Sequence, residues 1–261
     1  ACKCFNNLSL GTVSDAIACL EYARTNGARI INASWGFPNS LALSNTVASL
    51  RDAGIILVAA CGNSATNIDL APTYPASYAL DNIVSVASIT RSNTLAASSN
   101  FGVNDVDLAA PGENIYSTFA ATDNFYLTES GTSLAAPYVS GALALMLAKY
   151  PTENYHQIIQ RLLNATDPLP ALAGKCVTGG RLNLAKALNP PIWLTSVATT
   201  DAGRFQLRLS TGANRECVIQ TSTDLTGWTP VYTNTTAPDG TFDFTNSLGS
   251  PAQFFRAVAA P

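Results

Sequence analysis

The chain has 261 residues, 47% of them hydrophobic and only 12% charged, with a net charge of −3. That length suits one large domain, or a medium domain with a small one. The absence of a basic run excludes a nucleic-acid partner, and no apolar stretch reaches the ~18–20 residues of a membrane span. Sparse charge with abundant Ala, Ser, Thr and Asn favours a secreted or extracytoplasmic protein.

The first residues, "ACKCFNN", read as a short strand followed by a turn, so the chain starts inside a fold rather than with a leader. "SDAIACLEYARTNG" predicts a helix with Ser14 as N-cap, Ala16, Leu20 and Ala23 on one face beside Ile17, and Gly27 as the stop. "ARIINAS" predicts a buried strand. "LALSNTVASLRDAG" predicts a helix that aligns Leu43, Val47 and Leu50, and "GIILVAACGN" a central parallel strand. "NIVSVASI" and "VDLAAPG" supply two more strands. A helix over about 133–150 is apolar nearly all round and is expected to be buried in the middle of the domain. "YHQIIQRLL" and "LNLAKAL" are amphipathic helices. Strand–helix alternation of this kind means an α/β parallel sheet with right-handed crossovers.

At "ALNPPIWLTS" the pattern changes: Pro190 and Pro191 break the last helix. "RFQLRLS", "ECVIQTS", "WTPVYT", "TFDF" and "QFFRAVA" follow as short strands between Gly, Asn, Asp and Pro turns. The expected division is 1–189, an α/β domain, and 190–261, a small all-β, sandwich-like module whose role is open among adhesion, targeting and secretion. The six cysteines (Cys2, Cys4, Cys19, Cys61, Cys176, Cys217) are too dilute for a disulfide scaffold. They read as small buried hydrophobes with room for a disulfide rather than as a zinc site, because Cys2 and Cys4 lack a second pair at ligand spacing.

Chemistry concentrates in "TESGTSLAAPYVSG". Ser133 there stands at a helix start, where free N–H groups and the positive end of the dipole favour an oxyanion. On those residues alone it is equally a serine N-cap. "GTSLAAPYVSG" resembles the nucleophile motif of the subtilisin-like serine proteases, and the likeness extends to other segments in order. "VAACGNSAT" resembles the family's strand ending in the asparagine that donates to the oxyanion, which implies that role for Asn63. "INASWGFP" resembles the strand that pairs with substrate, which implies Ser34, Trp35 and Gly36 as substrate-binding. "YPASYALDNIVSVASI" and "VDLAAPGENIYST" match two further segments. The resemblance covers residues 1 to about 189. It implies Ser133 as nucleophile, Asn63 and the Ser133 N–H as oxyanion donors, and a cleft of Ala59, Ala60 and Gly62 with Ser34, Trp35 and Gly36 that pairs an extended peptide.

Two triad partners have no counterpart. The family order is Asp, His, Ser, yet neither a D-[ST]-G nor an H-G-T-H segment occurs, and "ACKCFNN" matches a strand that the family places after both. The single histidine, His156, follows a helix that spans ~27 Å at 1.5 Å per residue, and its neighbours Glu153 and Gln160 mark a solvated face. Lys3 stands at a place with no catalytic role in the family pattern. Tyr138 replaces the usual histidine after "AAP", and Cys61 replaces a small residue near Asn63. The expected sheet is therefore an incomplete subtilisin-like one of about four strands, with "ACKCFNN" as an unprotected edge open to self-association.

Three functions compete at this level: part of a secreted endopeptidase, a weak esterase acting through Ser133 on activated or short-chain esters, and a non-catalytic peptide- or polysaccharide-binding protein. No cofactor is expected, and the loop 71–78 is the one candidate for structural calcium.

Overall fold

A computed structural model describes residues 1–6, 10–119, 123–190, 192–200, 204–247 and 253–260. The chain folds as two compact units, Ala1–Ala187 and Leu188–Pro261.

The first unit alternates helix and strand from its start. Helix α1, Val13–Thr25, is capped by Thr12 rather than Ser14. The reason is three residues further on. Asp15 completes a reciprocal capping box, its N–H donating to Thr12 Oγ1 at 3.1 Å while its carboxylate accepts the Thr12 N–H at 3.0 Å. From Ser14 the same step reaches only Ile17. The helix buries Ala16 and Leu20 and gives way at Gly27, which has a φ of +78°. Strand β1, Ile30–Ala33, is followed by α2, Leu41–Asp52, which buries Leu43, Val47 and Leu50 completely. Strands β2, Ile56–Ala60, and β3, Ile83–Ile89, are buried at every position. β4, Leu108–Pro111, follows as the next parallel strand.

A hairpin, β5 (Ile115–Thr118) with β6 (Tyr126–Glu129), precedes the long helix α3, Thr132–Lys149. Then come α4 (Tyr155–Asn164), the two-residue strands β7 (Asp167–Pro168) and β8 (Gly180–Arg181), and α5 (Leu184–Leu188). The sheet runs β1-β2-β3-β4-β8-β7; β7 alone is antiparallel to its neighbour.

Two expectations fail here. Residues 1–6 form no strand, Asn7 lies outside the described residues, and the sheet edge is β1. The N-terminal segment turns locally instead: Asn6 N–H donates to the Leu10 carbonyl at 2.8 Å, and Leu10 N–H donates to Asn6 Oδ1 at 3.0 Å. Self-association through an "ACKCFNN" edge thus loses its strand. Helix α3 is not surrounded either. It packs Ala135, Val139, Leu143 and Met146 against β1–β4 and α4, while Pro137, Tyr138 and Leu145 on the other face are exposed. Apolar residues all round a helix say how much it tolerates burial, not how many neighbours it has.

Asp107 enters β4 half-buried, its carboxylate accepting the Ser85 N–H at 2.7 Å. Burial pushes its carboxyl up to about 6, against the opposing pull of that hydrogen bond. The folded state therefore holds this proton more tightly than the unfolded chain. The stability gained is complete below the ordinary carboxylate range and is lost as pH rises through 6. Asp107→Asn is expected to be more stable than the parent by roughly 1–3 kcal/mol at pH 7.5 relative to pH 4, read from urea midpoints at both pH values.

The second unit is all β. Strands β9 (Trp193–Thr200), β10 (Arg204–Ser210), β11 (Glu216–Ser222), β12 (Thr229–Thr235), β13 (Thr241–Ser247) and β14 (Phe254–Ala259) form two antiparallel sheets, β13-β10-β9 and β12-β11-β14. Leu209, Cys217, Ile219, Phe242 and Phe244 join them in one apolar cluster, as a sandwich requires. β9 falls where the sequence pattern shows only a break at Pro190; Pro191 lies outside the described residues.

Candidate active site

The site lies where parallel strands end and α3 begins. β1 runs out at Ala33 and delivers Ser34; β2 runs out at Ala60 and delivers Cys61, Gly62 and Asn63. Helix α3 starts from Gly131, which has a φ of +154° and no side-chain cap. A Cβ at Gly131 would approach Asn63 Nδ2 to 3.1 Å, so both the backbone angle and the close approach call for glycine. The helix begins at Thr132, which rules out Ser133 as its cap.

Ser133 is half-buried, and its hydroxyl donates to the Ser34 carbonyl at 3.2 Å. The reverse connection is tighter: Ser34 Oγ donates to the Ser133 carbonyl at 2.7 Å. That carbonyl is four residues before Pro137, which has no N–H to offer it. Proline thus leaves one acceptor inside the first turns of α3, and the end of β1 fills it. Asn32 extends the link, donating from Nδ2 to Ser34 Oγ at 2.8 Å and accepting from Ser140 Oγ at 2.9 Å.

Asn63 is tied to the same turn. Its Oδ1 accepts the Thr132 N–H at 2.8 Å and the Thr132 hydroxyl at 3.0 Å. With Oδ1 occupied by two donors, the Asn63 NH₂ is left to donate elsewhere. Gly62 N–H donates to Thr132 Oγ1 at 3.1 Å and closes the circuit.

The expected residues separate into groups. Ser34, Gly62, Asn63 and Ser133 are joined by the bonds just described. Trp35 is half-buried and packs on Phe37 at 5.3 Å between ring centroids, and Gly36 passes so close to Thr73 that a Cβ would stand 2.8 Å from its methyl. Ala59 is buried between β1 and β3, which pair with it on either side, and Ala60 is buried and pairs with β3. A strand-like ligand has β1 and its continuation as the sheet edge to pair with.

Two residues with a part in the site carry no sequence signal of their own. Thr132 lies within "GTS", where the serine is the residue that the chemistry singles out. Asn100 is buried, accepts the Ser64 N–H at 2.9 Å and the Thr66 N–H at 3.1 Å, and donates to the Cys61 carbonyl at 2.9 Å. It braces the loop that carries Asn63 from 37 positions away, a distance no local pattern spans.

Neither remaining candidate joins Ser133. His156 is largely exposed, stacks on Tyr155 at 3.9 Å and has Nδ1 3.5 Å from Asp81. Asp81 precedes the start of β3, whereas Ser34 and Asn63 follow the ends of β1 and β2, so His156 is at the opposite margin of a parallel sheet. Cys61 is fully buried with Sγ 3.2 Å from the Asn100 carbonyl, and burial pushes its thiol up to about 12. It stays protonated and is no nucleophile.

A family model described as the subtilase family matches residues 2–208. The chain belongs to the subtilase family. Subtilisin DY of Bacillus licheniformis is 38% identical over 164 residues, which are 62% of this chain and 58% of that protein. Subtilisin Savinase of Lederbergia lenta is 37% identical over 160 residues, 61% of this chain and 56% of that one. Among solved structures, the prenylagaramide maturation protease PagA is similar with a TM-score of 0.61 at 25% identity, covering 70% of this chain and 69% of that one. This subtilase therefore spans less than three fifths of the length of the two subtilisins. The family match also runs past Ala187 into β10 of the second unit.

Proposed function

We propose that this subtilase chain carries the nucleophile and oxyanion half of a subtilisin-type serine peptidase, with Ser133 as nucleophile and Asn63 Nδ2 and the Ser133 N–H as the oxyanion donors. The observation that carries the reading is the Thr132 bridge, which fixes Asn63 and the start of α3 as one unit across 69 positions of sequence. Attack forms a bond from Ser133 Oγ to an acyl carbon and moves the carbonyl electron pair onto oxygen, the hydroxyl proton passing to solvent water; the pair returns as the bond to the leaving group breaks and that group departs with its electrons. Ser34, Trp35 and Gly36 line up an extended peptide-like acyl group at the β1 edge, over a floor of Ala59, Ala60 and Gly62. The parent activity is peptide-bond hydrolysis by a secreted enzyme.

Among the described residues the Ser133 hydroxyl donates to the Ser34 carbonyl, and a carbonyl is no base. Amides, with poor leaving groups, need a general acid that His156 does not supply. Activated esters do not. The second reading, a slow esterase, rests on that difference. Loop 71–78 contains no carboxylate to attract calcium, and among the described residues no group of three or more His, Cys, Asp or Glu side chains is arranged to hold a metal ion.

The test is hydrolysis of a short-chain nitrophenyl ester and of casein by the chain alone. Slow ester turnover without casein cleavage is expected. Asn63→Ala should lower that turnover about 10²–10³-fold with KM little changed, the size of loss seen when a subtilisin loses its side-chain oxyanion donor. Equal turnover by parent and Asn63→Ala would remove the oxyanion assignment. Peptide binding without any turnover would favour the non-catalytic reading.

A further inference from the structure

Packing does little to hold Asn63. Residues 63–66 are all exposed, and the turn they make is strained. Gly62 has a φ of +104°, and Ala65 has a φ of +52°, a region that alanine seldom enters. Thr132 fixes Oδ1 of the Asn63 amide, but a side chain is aimed only as well as its own backbone is held.

That backbone is held from one residue. Asn100 is buried, and four hydrogen bonds join it to the main chain of the turn. Its main-chain N–H donates to the Gly62 carbonyl at 2.9 Å, and its Nδ2 donates to the Cys61 carbonyl at 2.9 Å. Its Oδ1 accepts the Ser64 N–H at 2.9 Å and the Thr66 N–H at 3.1 Å. The Gly62 carbonyl and the Ser64 N–H belong to the two peptide groups that flank Asn63. A Cβ on Gly62 would run into Asn100 Nδ2, so amide and turn are in direct contact.

Asn100 is itself anchored in the sheet. Ser99, also buried, accepts the Ser88 N–H of β3 at 2.9 Å and donates from the same hydroxyl to the Asn100 carbonyl at 2.9 Å. The Cys61 thiol donates to that carbonyl at 3.2 Å. A path of direct bonds thus runs from β3 through Asn100 to both flanks of Asn63.

We propose that Asn100 is a positioning residue which, given the oxyanion role proposed for Asn63, sets the aim of the Asn63 amide from behind the turn. Buried as it is, Asn100 acts on the acyl group only through Asn63. An amide suits the place because it donates and accepts at once. Asn100→Asp keeps the shape and the acceptor oxygen but faces the Cys61 carbonyl with an oxygen in place of a donor.

The test is a double-mutant cycle on nitrophenyl ester hydrolysis, with the rate of labelling by a fluorophosphonate probe as a second readout for slow chains. Asn100→Asp should lower kcat about 10²-fold with KM little changed, the size of loss expected when a catalytic group is misplaced by about 1 Å. In the Asn63→Ala background the same substitution should change the rate by less than about twofold, because the group it positions is gone. Urea unfolding of each chain ensures that folded proteins are compared. An equal fold-loss in both backgrounds overturns the proposal, since a merely structural brace costs the same with or without Asn63. A loss carried in KM, or no loss at all, overturns it too. Where Asn100→Asp does not fold, Asn100→Ser, which keeps a donor and an acceptor in one hydroxyl, takes its place. Failure of both to fold shows that Asn100 holds the domain rather than the donor, and the proposal falls. Equal rates for the parent and Asn63→Ala are a different failure: they remove the oxyanion reading itself, and the positioning role with it.

Discussion

Ser133→Ala is expected to abolish covalent labelling by a fluorophosphonate probe, where the parent chain labels slowly and with a single adduct. The probe needs an oxygen nucleophile and donors for its phosphoryl oxygen, but its leaving group departs without protonation. It therefore reads the nucleophile and oxyanion half proposed for this chain. Ser133 is in the first turn of α3, next to the Thr132 whose N–H and hydroxyl hold Asn63 Oδ1. The loss should be total within detection, because deleting the nucleophile removes the bond-forming atom rather than a stabilising contact. Intact-mass spectrometry of parent and variant decides it. Equal labelling of the two would eliminate both the peptidase and the esterase readings together, and mapping the adduct would show which residue replaced Ser133.

Glu153→Ala is expected to destabilise the first unit by about 3–5 kcal/mol, the range for removing one partner of a buried ion pair. Glu153 and Arg161 side chains are only 5% and 4% exposed. They bond bidentately along one guanidinium edge, Arg161 Nε donating to Glu153 Oε2 at 3.1 Å and Nη2 to Oε1. The guanidinium also lies over the Tyr150 ring, 3.9 Å from its centre. Removing the carboxylate leaves a desolvated cation between α3 and α4. The pair as a whole is not the source of the expected loss; the stranded charge is. A double variant, Glu153→Leu with Arg161→Met, should accordingly recover most of the stability, and urea unfolding of the three chains measures it. A single-variant loss within 1 kcal/mol would show that water reaches the guanidinium once its partner is gone.

How far these features are legible in the sequence depends on the range of the interaction that makes them. Helix α2 can be read directly because Ser40, Leu43, Val47 and Leu50 define it locally. The buried runs of β2 and β3 declare parallel strands in the same way. "GTS", "CGN" and "NAS" point to one site because each is a short motif, and they meet through bonds from Thr132 and Ser34. The cap of α1 lies two residues before the expected one because Asp15 settles the contest between Thr12 and Ser14. The N-terminal strand does not form, although "ACKCF" alternates like one, because Asn6 and Leu10 close a turn that alternation does not encode. β9 is hidden behind two prolines that mark the boundary more strongly than the strand after them. Asn100 is invisible for a different reason. Its amide satisfies three backbone groups on a loop 34–39 positions earlier, and nothing in "SSNFG" announces that.

Pro137 has a consequence for how force travels through the molecule. In an unbroken helix each interior carbonyl is claimed by the N–H four residues on, and a strand that presses against the helix can slide. Here one carbonyl is unclaimed by the helix, and its position is dictated by where the proline stands. The Ser34 hydroxyl fits that single socket, so the end of β1 and the first turn of α3 share a fixed register. A polypeptide drawn against the β1 edge would pull on Ser34 and, through it, on the main chain of Ser133. Strand and helix turn then shift as one body, and the Ser133 hydroxyl keeps its aim while the edge adjusts to what it holds.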